Sequence, residues 1–256
     1  MHRILGVAVL AAIGLVPAAP ASSAGAPGDL PTCAGLVVTI DLNDPSAPDP
    51  DRPESDVVLG TPEGDFIQAG SGADVICGGE GSDRIWADGD DVGDRIFGGG
   101  GGDYLYPGGG ADEIRAGGSG DEVFPSGSPE GTRDEIHLGP GADTFFGTTS
   151  DELVVGGPGI DAVGYSSLHS GTHRGVTVDL EIEEPQDTGP GGVDELVAIE
   201  QVGGTPYDDV LRGTARTNVL KGRKGDDRLF GRGGGDVCYG GSGHNTFHSC
   251  EVQQGG

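Results

Sequence analysis

The sequence predicts an all-β protein, a parallel β-helix solenoid in which very short strands stack on one another. The first observation is a nine-residue unit, G-G-x-G-x-D-x-U-x with U a large apolar residue, which reads GGEGSDRIW at 78–86 and GGGGGDYLY at 98–106. The second is the composition, since Gly makes up 53 of 256 residues and apolar residues only 34%, too few for a conventional core. The third is the register, because a disordered glycine-rich chain would not keep one apolar residue at the same place in each unit.

The first 24 residues have the composition of a secretory signal peptide. His2 and Arg3 are basic, an apolar run extends from Ile4 to Val16, and small residues follow it. Cleavage is expected after Ala21 or Ala24, and the apolar run is short for a membrane span. The sequence therefore predicts a secreted, extracellular protein that has no membrane span.

Residues 25–55 are predicted to form an N-terminal cap, with CAGLVVTI (33–40) as an entry strand and a polar loop after it. The first array of repeats covers 56–161. Its sixth positions are Asp65, Asp74, Asp83, Asp94, Asp103, Asp112, Asp121, Asp134, Asp143, Asp151 and Asp161. Two residues after each aspartate comes the apolar position: Ile67, Ile76, Ile85, Ile96, Leu105, Ile114, Val123, Ile136, Phe145, Leu153 and Val163.

Residues 162–203 interrupt the repeats and are predicted to form wider linking coils. Val176–Leu180 and Leu196–Val202 have the pattern of longer strands, and the acidic run 181–193 between them is expected to be an exposed loop. The second array covers 204–256. Its sixth positions are Asp209, Asn218, Asp227, Asp236 and Asn245, and its apolar positions are Leu211, Leu220, Leu229, Cys238 and Phe247.

The unit itself explains why such a chain would fold as a solenoid. Glycines adopt turn conformations that are closed to residues with a side chain. The three residues x-U-x can form a short strand with U on one face, and stacking these strands in parallel buries the U side chains between two sheets. Two units form one coil, so successive turns stack as well and place their aspartates in columns.

A column of carboxylates repels itself unless a cation lies between the turns. Carboxylate and backbone carbonyl oxygens are hard ligands that suit Ca²⁺, whereas Mg²⁺ requires a stricter octahedral geometry. The formal net charge of -28 likewise favours a cation and makes nucleic acid an unlikely partner. The sequence therefore predicts several bound calcium ions.

At these residues the chain resembles the RTX, or haemolysin-type, calcium-binding repeat family, whose fold is a parallel β-roll with calcium between the turns. The resemblance covers roughly residues 56–256, and the 162–203 segment is also similar to family segments that link blocks of repeats. It implies that the sixth-position aspartate is the side-chain ligand and that turn carbonyls complete the site. The aspartates expected to bind calcium are Asp65, Asp74, Asp83, Asp94, Asp103, Asp112, Asp121, Asp134, Asp143, Asp161, Asp209, Asp227 and Asp236. The turn at Asp151 lacks the glycines, and Asn218 and Asn245 bring no charge.

Four cysteines fit an oxidising compartment. Three pairings are possible. Pairing Cys33 with Cys77 and Cys238 with Cys250 is favoured because it needs no contact between the chain ends. A zinc site is the alternative, but the sequence has no C-x-x-C motif.

The ninth position of alternate units carries Gln68, Trp86, Tyr106, Phe124 and Phe146. Units that are two apart stack on the same sheet, so the four aromatic residues are expected to form a ladder on its outer surface. The ladder either packs under the 181–193 loop, or braces the sheet, or is a binding strip for a glycan or a surface protein.

Two functions are therefore considered. The first is a calcium-binding structural or surface-interaction protein without catalysis, and the second is an enzyme acting on extracellular polysaccharide along the aromatic strip. The first is favoured because repeats, cap and linking coils leave no region for a catalytic domain.

Overall fold

The structure is a computed structural model that describes residues 32–44, 54–87, 89–127, 129, 131–168 and 173–255, the last four without side-chain detail. The expected signal peptide (1–24) lies outside the described residues, as does most of the loop expected in the cap. Within the described part of the chain, no helix is long and apolar enough to cross a membrane.

The described residues form short strands throughout, as predicted. In chain order they are β1 (Thr32–Cys33), β2 (Leu36–Val37), β3 (Ile40–Asp41), β4 (Val57–Leu59), β5 (Phe66–Gln68), β6 (Val75–Glu80), β7 (Arg84–Trp86), β8 (Arg95–Gly100), β9 (Tyr104–Tyr106), β10 (Glu113–Gly118), β11 (Glu122–Val123), β12 (Arg133–His137), β13 (Thr144–Phe146), β14 (Asp151–Val155), β15 (Ala162–Gly164), β16 (Thr177–Asp179), β17 (Gln186–Gly189), β18 (Gly192–Val197), β19 (Gln201–Gly203), β20 (Val210–Arg212), β21 (Val219–Lys221), β22 (Arg228–Phe230), β23 (Val237–Gly241), β24 (Thr246–His248) and β25 (Val252–Gly255).

Three parallel sheets enclose the core. The first sheet has the order β17-β18-β14-β12-β10-β8-β6-β4-β3, the second β25-β23-β21-β19-β15-β13-β11-β9-β7-β5, and the third β16-β20-β22-β24. The β17–β18 pair is antiparallel, as is the separate β1–β2 pair in the cap. From β4 to β15 the chain alternates between the first and second sheets, and from β19 to β25 it alternates between the second and third. The fold is therefore the predicted parallel β-solenoid, with the second sheet running through both arrays.

The predicted apolar positions stack in register and form one core. In the second sheet Ile67 pairs with Ile85 and Ile85 with Leu105, and all three side chains are fully buried. A single cluster of buried residues extends from Ile40 to Cys238. Because each coil adds only one or two large side chains to this cluster, the core is a narrow column.

One predicted position is wrong by one residue. Leu153 was expected inside, but Val154 is buried and pairs with Ile136, while Glu152 pairs with Asp134. Since Glu152 lies nine residues from both Asp143 and Asp161, this register preserves the repeat that Asp151 would break. Asp151 instead accepts a hydrogen bond from the Val193 backbone at 2.8 Å.

The linking segment differs from its expected form. Part of the run 181–193, expected as a loop, forms the antiparallel β17–β18 hairpin, with a fully buried Thr188. The stretch from 196 to 202, expected as one strand, is divided between β18 and β19 because the chain turns there from the first sheet to the second. The hairpin ends the first sheet, and β16 starts the third sheet that replaces it.

Two disulfides close the ends of the solenoid in the local pairing. Cys33 is bonded to Cys77, which ties β1 of the cap to β6. Cys238 is bonded to Cys250, which ties β23 to the segment between β24 and β25. With all four cysteines in disulfides, no thiol is available to hold zinc.

Candidate metal-binding turns

Twelve of the thirteen aspartates expected to bind calcium lie in turns, directly before a strand, and Asp134 is the second residue of β12. Together they form three columns. Asp74, Asp94, Asp112 and Asp134 border the first sheet; Asp65, Asp83, Asp103, Asp121, Asp143, Asp161 and Asp236 border the second; Asp209 and Asp227 border the third. Twelve are buried, and Asp65 in the first coil is half-buried. The fold therefore brings each aspartate next to its counterpart one coil away.

Twelve of the thirteen aspartates use one carboxylate oxygen to accept a repeated backbone hydrogen bond along the column. The backbone N–H of Asp65 donates to Oδ1 of Asp83, and that of Asp83 donates to Oδ1 of Asp103, both at 2.8 Å. The same bond joins Asp103 to Asp121 at 2.8 Å and Asp121 to Asp143 at 2.7 Å. These bonds fix the orientation of each side chain and direct its second oxygen into its own turn.

That second oxygen is buried and without a hydrogen-bond partner in nine of the thirteen aspartates. They are Asp74, Asp83, Asp103, Asp112, Asp121, Asp143, Asp161, Asp227 and Asp236. A buried carboxylate oxygen without a partner is costly, and buried polar atoms in folded proteins are nearly always satisfied. Its repetition at the same position of nine turns indicates a ligand rather than a local defect.

Where the first position of the turn is glycine, as at Gly78 and Gly98, it leaves room for a cradle of oxygen atoms. A Cβ atom added to Gly78 would lie 2.4 Å from Oδ2 of Asp83 and 2.5 Å from the Gly98 carbonyl oxygen of the next coil. At Gly98 the corresponding contacts are 2.4 Å to Oδ2 of Asp103 and 2.2 Å to the Ala116 carbonyl oxygen. A carboxylate oxygen and a carbonyl oxygen from successive coils therefore converge on the same point.

The carboxyl groups hold their protons strongly when no cation is bound. Burial raises the pKa of Asp83 to about 6, of Asp103 and Asp121 to about 7, and of Asp94 to about 8. The hydrogen bond from the backbone of the preceding coil acts in the opposite direction, while the neighbouring carboxylate raises the pKa further. A cation that binds here must therefore compete with protons near neutral pH.

This arrangement fits calcium. The donors are carboxylate and carbonyl oxygens, which Ca²⁺ prefers, and the partnerless Oδ2 atoms supply the negative charge. No group of three or more His, Cys, Asp or Glu side chains able to hold a metal occurs in the described parts of the chain. A bound ion would therefore draw most of its ligands from the backbone of the turns, as the glycine content permits.

Four further acidic residues occupy sixth positions that the sequence reading left out: Asp56, Glu152, Asp194 and Glu200. The Asp56 backbone donates to Oδ1 of Asp74 at 2.8 Å, and the Asp161 backbone donates to Oε2 of Glu200 at 3.0 Å. Asp56 lies nine residues before Asp65, so spacing alone could have identified it. Asp194 and Glu200 follow an irregular segment, and no spacing rule predicts them.

At the junction between the arrays, hydroxyl groups of the protein form hydrogen bonds with the acidic side chains. The fully buried Tyr165 hydroxyl donates to Oδ2 of Asp194 at 2.6 Å, and the Thr188 hydroxyl lies 3.1 Å from the same oxygen. Burial and the neighbouring Asp194 raise the pKa of Glu152 well above its usual range. In this coil, hydroxyl groups of Thr148, Tyr165 and Thr188 therefore contact the acidic side chains.

The predicted aromatic ladder is present on the outer surface of the second sheet. The rings of Trp86 and Tyr106 are stacked with centroids 4.5 Å apart, those of Tyr106 and Phe124 are 4.9 Å apart, and those of Phe124 and Phe146 are 4.4 Å apart. Phe66 extends the ladder at 4.8 Å from Trp86. The ring planes are within 9° of parallel in the three stacked pairs, so each ring covers the face of the next.

Comparison with known proteins points to the same repeats. The family described as RTX calcium-binding nonapeptide repeat matches residues 54–85, 88–123, 130–163, 203–237 and 212–247, which together span more than half of the chain. A search of curated proteins finds no match. The matched segments contain all thirteen expected aspartates and leave out the junction around Tyr165 and Asp194. The chain belongs to the RTX calcium-binding nonapeptide repeat family.

Proposed function

We propose that this protein is a secreted calcium-binding β-roll that folds when calcium binds, and that it serves as a structural or surface-interaction module without catalysis of its own. The observation that carries the proposal is the set of nine buried aspartate oxygens without a partner, each inside a glycine turn. Calcium, when bound, supplies the positive charge that these columns lack. Without calcium, the narrow core contributes little stabilisation to offset the repulsion between these carboxylates.

Two observations support an extracellular site of action. Both disulfides are of the kind that persists in oxidising compartments, and they tie down the two ends of the solenoid. Free calcium is near millimolar outside cells, where extracellular modules bind it with dissociation constants of about 10⁻⁴–10⁻³ M. A chain with this affinity would stay unfolded before export and fold afterwards.

The environment of the carboxylates supports a role without catalysis rather than a polysaccharide-acting enzyme. A pair of catalytic carboxylates must flank a substrate in an accessible cleft. Here twelve of the thirteen aspartates are buried, and one oxygen of each of these twelve accepts a hydrogen bond from the backbone of the adjacent coil. Their regular spacing follows from the repeat and needs no catalytic explanation.

A calcium titration tests the proposed function. The mature chain, stripped of metal, is expected to lack strand structure at pH 8 and to gain it cooperatively at about 10⁻⁴–10⁻³ M calcium, measured by far-UV circular dichroism. Magnesium at the same concentrations is expected to be much less effective. Strand signal that persists unchanged in excess chelator would contradict the proposal.

For the aromatic ladder we propose that it braces the second sheet. Sugar rings bind to the open face of an aromatic ring, and here those faces are covered by neighbouring rings. Replacing both Trp86 and Tyr106 by alanine removes three ring contacts, each worth about 0.5–1.5 kcal/mol. The double variant is therefore expected to melt at a lower temperature and to need more calcium to fold.

The control for this experiment is Tyr239→Ala. Tyr239 is exposed on the same sheet, and the described residues place no aromatic ring against it. The Tyr239→Ala variant should therefore have nearly the same melting temperature as the wild-type protein. A panel of extracellular glycans is assayed in parallel, and a double variant that loses glycan binding at unchanged stability would show instead that the ladder is a binding strip.

A further inference from the structure

Four turns carry threonine where the repeat has its second glycine. They begin Gly60-Thr61, Gly147-Thr148, Gly204-Thr205 and Gly213-Thr214. Their sixth-position residues are Asp65, Glu152, Asp209 and Asn218. One lies in the first coil, and the other three surround the linking coils. The contacts of these turns differ from those of the glycine turns.

In the turns at Thr61, Thr205 and Thr214, the threonine satisfies the side-chain oxygen that the glycine turns leave without a partner. The Thr61 backbone N–H lies 2.6 Å from Oδ2 of Asp65, and its hydroxyl lies 2.9 Å from the same atom. The Thr205 N–H donates to Oδ2 of Asp209 at 2.8 Å, and its hydroxyl lies 2.9 Å from Oδ1. The junction coil differs, because the Thr148 hydroxyl donates to Oε1 of Glu152 but Oε2 is still buried without a hydrogen-bond partner.

The fourth such turn, Gly213-Thr214, has an amide instead of a carboxylate at its sixth position. The Thr214 N–H donates to Oδ1 of Asn218 at 2.6 Å, with the hydroxyl 3.1 Å away. Asn218 is buried and uncharged. A turn in which threonine supplies the partner therefore functions without a negative charge at the sixth position, as expected if no cation binds there.

The backbone at the second position separates the two kinds of turn. In the nine turns with a partnerless Oδ2, the second residue has positive φ; these residues are Gly70, Gly79, Gly99, Gly108, Gly117, Gly139, Gly157, Arg223 and Arg232. The threonines do not have positive φ, which a β-branched residue strongly avoids. The change of φ reorients the peptide so that its N–H points at the side-chain oxygen.

We infer that threonine at the second position closes a turn to calcium, whereas a residue with positive φ leaves it open. This inference rests on the proposed calcium-dependent fold and assigns the ions to the open turns. The closed turns at Thr61, Thr205 and Thr214 hold their sixth-position side chains without metal. They therefore mark the ends of the calcium-binding stacks. Thr61 lies in the first coil, and Thr205 and Thr214 lie at the start of the second array, directly after the linking coils.

Two adjacent coils allow the inference to be tested in both directions. Asp209 of a closed turn and Asp227 of an open turn are joined by a backbone-to-Oδ1 bond of 2.9 Å. Thr205→Gly is expected to open the first turn and add one calcium ion per chain. Arg223→Thr is expected to close the second and remove one. Arg223 already has a Cβ at φ +81°, so threonine there introduces no new Cβ clash.

The ions are counted by native mass spectrometry at saturating calcium, with circular dichroism to verify the fold. Arg223→Gly removes the same charge but keeps the turn open, so it should retain the wild-type count. Gly118→Thr places threonine at a third position with no atom within 4 Å of the new Cβ, and it should also keep the wild-type count.

Wild-type counts in folded Arg223→Thr and Thr205→Gly would overturn the inference while leaving calcium-dependent folding intact. If Thr205→Gly does not fold, the count in Arg223→Thr decides alone. A wild-type chain that binds no calcium would defeat the proposed function instead, so the two failures are distinguishable.

Discussion

Metal-stripped protein is expected to gain strand structure when the pH is lowered from 8 to 5, without any calcium. Burial raises the pKa of Asp103, Asp112, Asp121 and Asp227 to about 7, and that of Asp94 to about 8. In the unfolded chain these groups have their ordinary pKa near 3.8. Protons can therefore take over part of the role that we propose for calcium, by neutralising the columns.

The direction of this pH dependence follows from the linkage between proton binding and folding. Between pH 8 and pH 4 the folded state binds more protons than the unfolded state, because its carboxyl pKa values are higher. The stabilisation by these bound protons is fully present below the pKa that the aspartates have in the unfolded chain. It is lost as the pH rises through about 6 to 8, the range of their pKa values in the folded state. The metal-free fold should thus weaken with rising pH, while calcium affinity should increase because fewer protons compete for the same oxygens.

The measurement is far-UV circular dichroism against pH, on protein stripped with a chelating resin and compared with protein in excess calcium. Asp103→Asn/Asp121→Asn removes two buried carboxylates and should shift the metal-free folding midpoint to higher pH. Glu183→Gln/Glu184→Gln removes the same charge from exposed side chains and should shift it little. Equal shifts in the two variants would mean that overall charge, not the turn carboxylates, controls folding.

Much of the fold could be predicted because one unit repeats in register. Ile67, Ile85 and Leu105 were placed in a column by their spacing, and they pair in that order in the second sheet. The error at Leu153 arose from aligning on the nearest aspartate, Asp151, instead of keeping the nine-residue step that leads to Glu152. A carboxylate one methylene longer occupies the same position there, and the Thr148 hydroxyl donates to its Oε1.

The linking coils could not be predicted in the same way, because their contacts are specific to this chain. The buried hydrogen bond between Tyr165 and Asp194 joins residues 29 apart, and no periodic pattern encodes it. The distinction between open and closed turns was also missed. It depends on the φ angle at one residue, and a glycine consensus treats threonine at that position only as a mismatch.

Phe145→Ala is expected to destabilise the calcium-bound fold by about 3–5 kcal/mol. Phe145 is 1% exposed and is among the largest side chains in the core. In the second sheet it pairs with Val123 on one side and with Val163 on the other. A conventional core could relax around the cavity, but here each coil contributes only one or two large side chains. The loss should therefore appear both as a lower melting temperature and as a higher calcium midpoint, since calcium binding and folding are linked.

The matched control is the adjacent residue. Phe146 has the same side chain, but it points to the outer surface at the end of the ladder. Among the described residues it contacts a single ring, Phe124, at 4.4 Å. Phe146→Ala should cost about 0.5–1.5 kcal/mol for that contact, plus a small loss of buried area. Both variants are measured by thermal melts at saturating calcium and by calcium titration. If Phe146→Ala proves as damaging as Phe145→Ala, then the aromatic ladder stabilises the solenoid as much as the column of side chains between the sheets does.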